Sequence, residues 1–378
     1  MESLKVTSWN LEHADKLLDR LSDDDATRRR HAEARAEAVT EEIARLEADI
    51  LLVSEGPRGE ARATEFFART APGYRLITRG DDAAYGMKGG NSFTGRQWLW
   101  FLVRDESPIT GQLLHLDRWQ ALTEAASGGA HRAGRWEISY PKWEDPGDSD
   151  ARLEFSIPET HAHWRHPQVL QAEIGGSLIE LIGCHLKSKY NDARVEGHAS
   201  DADFFAMNPR LVADLIKARV KISTEAADVR HYIEARFEAQ SDAAIVVLGD
   251  LNDGPGKERI ERRFLYHDLI GALQGDVFFA RRFLNHALFD APDGERWSVH
   301  FEDALDPGRD PHILLDHILF SQAMTRSHRG TRAAFLARPG GGRVEHQVHH
   351  LVTSARPKYA MTSDHKPVSM IFDQAPPA

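Results

Sequence analysis

The chain has 378 residues, with 47 Lys and Arg against 58 Asp and Glu, which gives a formal net charge of −11. Its 41% of hydrophobic residues exclude a disordered chain, because a chain of this length buries about three quarters of its unfolded surface on folding. The one cysteine, Cys184, excludes an internal disulfide framework and a zinc site built from cysteines. No apolar run approaches the roughly 18 residues of a membrane span and no signal segment is evident, so we expect a cytoplasmic protein.

Apolar runs and helical patterns alternate along the chain. Strands are predicted at residues 4–9, 50–54, 75–78, 98–103, 168–174, 178–184, 244–248, 317–320 and 368–372, and long helices at 28–47 and 209–237. Gly175 and Gly176 separate two apolar runs and predict a hairpin. The pattern mixes antiparallel strands with αβ units, so we expect one α/β domain with insertions at about 105–166, 271–310 and 324–362.

Acidic, amide and histidine residues recur where the apolar strands end. Asn10 and Glu12 follow VTSW, Glu55 follows ILLVS, His185 follows LIELIGC, Asp250 and Asn252 follow AAIVVLG, and Asp364 and His365 precede KPVSMIF. Because strand ends of a layered α/β fold meet at one edge, we expect these side chains to form one site. The acidic surplus argues against broad nucleic-acid binding, which needs basic residues. It does not argue against phosphate chemistry, because carboxylates bind hard divalent cations.

Six segments in this order resemble the endonuclease/exonuclease/phosphatase superfamily. They are SWNLE at 8–12, ILLVSE at 50–55, GCHLKSK at 183–189, VVLGDLND at 246–253, LLDHILFS at 314–321 and SDHKPV at 363–368. The resemblance covers nearly the whole chain. It implies a four-layer α/β sandwich, in which two stacked, mostly antiparallel sheets are flanked by helices, and it implies hydrolysis of phosphate esters.

The resemblance also implies a metal site. Glu55 would be the principal ligand of Mg²⁺ or Mn²⁺, with Asn10, Glu12 and Asp364 beside it and with one or two ions bound. Family nucleases often carry glutamine before this glutamate, whereas this chain has Ser54. The ligand is retained in changed surroundings, so we expect an unusual substrate preference.

The catalytic groups follow from the same resemblance. Asp250 would orient or deprotonate the attacking water, and Asn252 would donate to the phosphate. His185 would donate to a non-bridging oxygen, and His365 would pair with Asp316. The sequence does not settle whether His365 or Asp250 accepts the proton. The two assignments predict different pH profiles of the reaction rate.

Four basic residues are candidates for contacts with the substrate phosphate. Lys187 and Lys189 follow His185 closely, while Arg96 and Arg165 each precede a predicted strand. All four also fit an ordinary surface role. Two histidine groups, His161/His163/His166 and His346/His349/His350, fit ordinary loop residues better than a zinc site, because their spacing is common and no sulfur ligand is available.

These features predict a divalent-metal-dependent phosphodiesterase that cleaves P–O bonds by in-line attack of water, with an endonuclease or exonuclease as the leading hypothesis. One alternative is a phosphomonoesterase or small-molecule phosphodiesterase of the same superfamily. Another is a catalytically silent binding module. The expected partner is nucleic acid or another phosphate ester, and neither a membrane nor an obligate protein partner is inferred.

Overall fold

The computed structural model describes residues 1–88, 95–143, 153–155, 159–189, 195–255, 258–264, 268–328 and 332–376. In these residues no helix is long and apolar enough to cross a lipid bilayer. The strands, numbered in chain order, are β1 Ser3–Asn10, β2 Ile50–Gly56, β3 Tyr74–Ile77, β4 Trp98–Arg104, β5 Ile109–Leu113, β6 His131–Arg132, β7 Arg135–Ile138, β8 Pro141–Trp143, β9 Leu153–Phe155, β10 Glu159–His161, β11 Gln168–Ile174, β12 Ser177–His185, β13 Ile245–Asp250, β14 Asn285–His286, β15 Val299–His300, β16 His312–Ile313, β17 Asp316–Phe320, β18 Phe335–Ala337, β19 Arg343–Val344 and β20 Val368–Gln374.

The helices surround these strands. They are α1 Ala14–Leu21, α2 Ala26–Leu46, α3 Glu60–Thr70, α4 Leu116–Ala126, α5 Phe204–Met207, α6 Pro209–Ala239, α7 Arg259–Phe264, α8 Leu269–Gln274 and α9 His346–Thr353. Short 3₁₀ turns occupy Asp82–Tyr85, Val277–Arg282, Asp293–Glu295, Gln322–Met324 and Lys358–Ala360.

Two large sheets contain most of the strands. The first has seven strands in the order β18-β20-β1-β2-β4-β3, with β19 paired to β20, and the second has six in the order β14-β17-β13-β12-β11-β5. The β1–β2 and β12–β13 pairs are parallel, and the remaining pairs of both sheets are antiparallel. The prediction of two mostly antiparallel sheets is confirmed.

The sheets stack face to face around one apolar core. Leu52 and Phe101 of the first sheet share this core with Leu181 and Leu248 of the second. Gly183 of β12 lies at the closest approach, since an added Cβ would come within 2.7 Å of Leu52 Cδ1 and 3.0 Å of Phe101 Cζ. A larger residue there would force the sheets apart.

Helices cover the outer face of each sheet and complete four layers. α2 directs Ala36, Val39 and Ile43 to the first sheet, at the spacing of one helix face. α6 and α4 cover the second sheet through residues such as Val229 and Trp119. Most of the other polar residues of α2 and α6 face outward, which explains why both read as charged helices in the sequence, although Glu42 of α2 and Arg219, Glu225 and Asp228 of α6 are buried.

Every strand predicted from an apolar run has a counterpart in the two sheets, and Gly175 and Gly176 join β11 to β12. The segment 105–166 is more than an elaboration, because its strand β5 forms one edge of the second sheet. β5, β7 and the strands of two or three residues escaped prediction, since such segments carry too few apolar residues for a measurable periodicity.

Buried neutral histidines make the fold sensitive to acid. Burial, followed by the charge of His317, lowers the pKa of His286 to about 3. In the unfolded chain the pKa is about 6.5, so below that pH the unfolded chain binds a proton that the folded chain does not. We expect His286 alone to remove about 2 kcal/mol of folding free energy between pH 6.5 and pH 5.

Urea unfolding of the wild type and of His286→Gln at pH 7 and pH 5 measures this effect. The variant should lose about 2 kcal/mol less than the wild type on acidification, whatever its stability at pH 7. His350→Gln, an exchange at an exposed histidine of α9, should lose as much as the wild type. Equal losses in all three proteins would show that His286 does not stay neutral on folding.

Candidate active site

The polar residues predicted from the strand ends meet at one edge of the two sheets. In the second sheet the register pairs His185 with Asp250 and Asp250 with Asp316, so three adjacent strands present them side by side. In the first sheet Asn10 ends β1 beside β2, which carries Glu55. The Asn10 amide donates to Asp250 Oδ2 at 3.0 Å and to Glu55 Oε1 at 3.4 Å, and it therefore joins the two sheets.

A glycine precedes Asp250 for a steric reason. The φ angle of Gly249 is +141°, and an added Cβ would lie 1.8 Å from the carbonyl oxygen of Cys184. Only glycine fits where the backbones of β12 and β13 approach so closely. This approach places Asp250 directly beside His185.

A buried carboxylate holds the imidazole of His365. Its Nδ1 lies 2.7 Å from Oδ2 of Asp316, a residue with no exposed surface. Burial by itself would lower the pKa of His365, but the Asp316 carboxylate raises it to about 10. The ring is therefore protonated at neutral pH, donates Nδ1–H to Asp316 and keeps Nε2–H as a second donor.

Asp250, unlike His365, is suited to accept a proton. Burial raises its pKa to about 7, while the charge on His365 acts in the other direction. Its Oδ1 accepts the backbone N–H of Asn252 at 2.9 Å, and its Oδ2 accepts the Asn10 amide. Asn252 also donates one side-chain hydrogen to the carbonyl of Leu186 at 2.9 Å, which leaves its second hydrogen for a ligand. Asp250 can thus exchange a proton near neutral pH.

His185 is a neutral ring facing two acids. Burial, followed by the charge of Arg165, lowers its pKa well below the usual value. Its Nε2 lies 3.5 Å from Asp250 Oδ2 and 4.0 Å from Glu55 Oε1, while its Nδ1 has no partner among the described residues. A neutral imidazole in this position can donate Nε2–H to an anionic oxygen placed between it and the acids.

The residues predicted to bind a metal fit a hard divalent cation. Oδ1 of Asn10 accepts the backbone N–H of Glu12 at 3.0 Å, which brings Glu12 to the same edge. Burial and the charge of Asp364 raise the pKa of Glu12, so these two carboxylates repel each other. Glu55 lies beside them with its side chain 14% exposed. Arg35 approaches Glu12 to 3.8 Å and His13 approaches Glu55 to 3.1 Å, so part of the negative charge is balanced within the chain. Partly exposed oxygen donors that keep a net negative charge form the environment that Mg²⁺ and Mn²⁺ prefer.

A second group of ligand atoms lies close by. One atom each from Asp250, Asp316 and His365 falls within 4.8 Å of the others. The hydrogen bond to Asp316 occupies Nδ1 of His365, and a protonated imidazole has no lone pair for a metal at that atom. Within the described residues this is nevertheless the one group of three such side chains whose ligand atoms lie this close, whereas the carboxylates of Glu12, Glu55 and Asp364 are farther apart. Because Nδ1 of His365 is occupied, we favour the set around Glu55, whose carboxylates would have to draw together around an ion.

Backbone strain is concentrated at this edge. Of the seven non-glycine residues with positive φ in the described chain, five belong to the site or adjoin it, namely Glu12, His13, Glu55, Gln97 and Asn252. His13 donates its backbone N–H to Glu55 Oε2 at 2.9 Å, so the strained backbone is itself part of the contacts that orient Glu55. Such conformations persist where surrounding contacts require them, and they recur at functional sites.

The structure corrects the prediction for Lys189. This side chain is buried, and its Nζ lies 2.7 Å from Asp253, 2.8 Å from Glu258 and 3.0 Å from Glu261. It shares these carboxylates with Arg219 and Arg309, and its three donor hydrogens are taken up by them, so it has no capacity left for a substrate phosphate. Lys187 is partly exposed and donates to the carbonyl of the next residue at 3.3 Å.

Arg165 also differs from its predicted role. It is buried, with Nε donating to the carbonyl of His185 at 3.0 Å, Nη2 to the carbonyl of Leu186 at 2.9 Å and Nη1 to Gln97 Oε1 at 2.7 Å. It supports the backbone behind the site and does not present its charge to a ligand. Arg96 is exposed next to Gln97, so its predicted contact with phosphate stays a prediction.

The histidines that we interpreted as loop residues are partly structural. His163 is buried with Nε2 2.8 Å from Asp228, and His161 lies 3.1 Å from Glu225, both acids belonging to α6. His349 pairs likewise with a buried glutamate of α2 at 3.0 Å. The spacing of these histidines in the sequence carries no sign of such partners, because each acid lies more than sixty residues away in the chain.

Sequence reasoning missed Arg35, which stabilises the metal side of the site. Its Nη2 donates to the carbonyls of Leu11, Glu12 and Thr362 at 2.9, 2.8 and 3.0 Å. It therefore ties the segment after β1 to the segment before Asp364. No pattern distinguishes it from the other arginines of the charged helix α2, so the sequence holds no signal for this role.

The pairing of His365 with Asp316 gives a test that needs neither metal nor substrate. Asp316→Asn removes the charge that raises the pKa of His365, so we expect that pKa to fall from about 10 toward or below 6.5. NMR titration of the ring in metal-free protein measures the change. Asp364→Asn should lower it less, because Asp364 is the weaker influence. A wild-type ring that titrates near 6.5 would contradict the assignment.

Comparison with known proteins finds similarity in structure but not in sequence. No family model and no curated protein matches the chain. Similar solved structures include TDP2 from Caenorhabditis elegans (13% identity, 98% of this chain and 75% of that chain, TM-score 0.48), an endonuclease/exonuclease/phosphatase from Bacteroides vulgatus (13%, 99% and 100%, 0.48) and the mannosyl-6-phosphatase Bt3783 from Bacteroides thetaiotaomicron (14%, 97% and 98%, 0.48). In its ordered motifs and its layered fold, the chain resembles the endonuclease/exonuclease/phosphatase superfamily.

Proposed function

We propose that the protein is a hydrolase of phosphate esters that depends on a divalent cation, Mg²⁺ or Mn²⁺, and that it acts as a phosphodiesterase. The observation that carries the proposal is the convergence of Asn10, Glu55, His185, Asp250 and His365 at one edge of two stacked sheets. In this set Asp250 has a raised pKa, His365 is a protonated imidazole and His185 is a neutral one. Groups whose pKa values are shifted in opposite directions are typical of hydrolytic sites.

The contacts of the two candidate bases favour Asp250 as the proton acceptor. His365 already donates Nδ1–H to Asp316, and the negative charge of that partner stabilises the protonated ring. Asp250 faces Asn10 and the backbone of Asn252, which fix its orientation, and its pKa of about 7 suits proton transfer at neutral pH. His365 then acts as a positively charged donor toward the phosphate.

The remaining groups position the phosphate. Nε2–H of His185 and the unused amide hydrogen of Asn252 are neutral donors that can stabilise charge on a non-bridging oxygen. A divalent cation held by Glu55, with Asn10, Glu12 and Asp364 around it, would supply charge compensation for the phosphoryl oxygens and the leaving oxygen. Attack by a water held at Asp250 then breaks the P–O bond.

A nuclease is the first substrate class to test, because the motif order resembles the nucleases of the superfamily. A phosphomonoesterase or small-molecule phosphodiesterase is the second. The net charge of −11 favours this second class, since a long nucleic acid requires a basic track that releases counterions. Rates on plasmid DNA, RNA and bis(p-nitrophenyl) phosphate, measured at two salt concentrations, distinguish them.

Metal binding discriminates between the two groups of ligand atoms. We expect Glu55→Gln to weaken Mn²⁺ binding by about 10-fold or more, measured by calorimetry or electron paramagnetic resonance without substrate. Asp316→Asn, which alters the other group, should bind Mn²⁺ within about twofold of the wild type. Weakened binding in Asp316→Asn with unchanged binding in Glu55→Gln would show that the metal binds at the group around His365 instead.

Hydrolysis tests the catalytic assignment. Asp250→Asn keeps the shape of the side chain but cannot accept the proton, so kcat should fall by about 10³-fold with little change in KM. Asp24→Asn, an exchange of the same chemistry at an exposed aspartate, should retain full activity. Removal of metal with EDTA should abolish hydrolysis, and Mg²⁺ or Mn²⁺ should restore it. An active Asp250→Asn enzyme would exclude Asp250 as the base.

A further inference from the structure

A pocket of about 690 Å³ adjoins the candidate metal site on the side of the first sheet. Glu12 and Asp364 line both the metal site and this pocket, so the two are continuous. Its other walls come from α1, from the first turns of α2 and from the 3₁₀ turn Lys358–Ala360 with the residues that follow it. None of the residues implied by the superfamily motifs for catalysis, apart from those two carboxylates, lines it.

The pocket carries an excess of positive charge away from the metal. Arg20, Arg28, Arg35 and Lys358 line it, and Asp23 is the one acid among its lining residues besides the two carboxylates of the metal site. Arg20 and Lys358 form no ion pair within the described part of the chain. Arg28 is exposed and approaches Asp23 only to 3.8 Å and Asp25 only to 3.9 Å, so these pairs neutralise little of its charge. Arg35 is already engaged with backbone carbonyls and lies 3.8 Å from Glu12, so the free positive charge of the pocket comes from Arg20, Arg28 and Lys358.

One wall of the pocket is flat and aromatic. The rings of His31 and Tyr359 stack at a centroid distance of 3.9 Å and an interplanar angle of 13°. Tyr359 is 50% exposed, so part of its ring is open to a ligand in the pocket. The pocket therefore combines unpaired cations with a surface for the apolar part of a ligand.

We propose that this pocket binds a second anionic group, a phosphate or carboxylate, of the same substrate whose phosphate ester is cleaved beside Asp250. The inference rests on the proposed function and narrows it to phosphate esters that carry a further anionic group. Cations without partners next to an acidic metal site leave a charge pattern that such a substrate complements. The volume lies within the range of small-molecule sites, about 300 to 1,000 Å³, and suits a nucleotide-sized ligand.

A pair of chromogenic substrates that differ by one phosphate tests the inference. Thymidine 5′-(p-nitrophenyl phosphate) carries the ester alone, and its 3′-phosphorylated form adds the second anion. We expect wild-type kcat/KM to be at least about 10-fold higher for the substrate with two anionic groups. This ratio corresponds to one charge-assisted hydrogen bond. In Arg20→Gln and Lys358→Gln this ratio should fall to about 3 or less.

Arg30→Gln is the matched control, because Arg30 is an exposed arginine of α2 that does not line the pocket. It should keep the wild-type ratio. A wild-type ratio near 1, or an equal fall in the control, would overturn the pocket as a binding site. If neither substrate is cleaved, the proposed function fails, and calorimetry of thymidine 3′,5′-bisphosphate against thymidine 5′-monophosphate still tests the pocket through the same variants.

Oligothymidylates distinguish a small ligand from a nucleic-acid strand as the source of the second anion. Affinity should rise from one phosphate to two and then level off at four and eight phosphates, because the pocket accommodates one further group. An affinity that continues to rise with each added phosphate would indicate an extended track and would overturn the inference.

Discussion

The amide of Asn10 reaches from the first sheet to Asp250 of the second, and the candidate site depends on this contact. Each sheet alone presents incomplete chemistry, since the first carries Glu55 and the second carries His185 and Asp316. Stacking brings them together, and Gly183 permits the stacking because no side chain separates the sheets there. The same packing buries Asp250 and leaves the side chain of His365 only 12% exposed, so their charges interact strongly enough to shift both pKa values.

The structure divides the acidic residues into those paired with cations inside the protein and those that line the site. Some carboxylates are neutralised internally, as the three acids around Lys189 show, and others pair with buried histidines. Glu12 and Asp364 are different, because they repel each other at the surface of the site. An acidic pair that Arg35 compensates only in part, beside a basic pocket, is a local arrangement that the net charge of the chain does not reveal.

The sequence predicted the strands well because buried strands are continuous apolar runs, and the positions of Asn10, Glu55, His185 and Asp250 followed from where those runs end. It could not predict contacts that depend on folding distant segments together. Lys189 reads as a surface lysine, and its three acidic partners lie more than sixty residues away. Arg35 reads as one of many arginines on a charged helix. In both cases the role is decided by burial, which local patterns do not encode for long charged side chains.

The helices α1 and α2 supply three of the four cations that line the basic pocket, whereas strand ends supply the groups assigned to bond cleavage. Side chains on the outer surface of a helix tolerate exchange far better than residues whose neighbours are packed on every side. In the proposed function, the residues that select the substrate therefore lie on different elements from the residues that cleave it, and the two groups can be exchanged independently. Under the proposed function, substitutions at exposed pocket residues such as Arg20 and Arg28 would change the compounds that the protein accepts and leave the strand ends intact. Arg35 is the exception on α2, because it also holds the backbone on either side of the metal site.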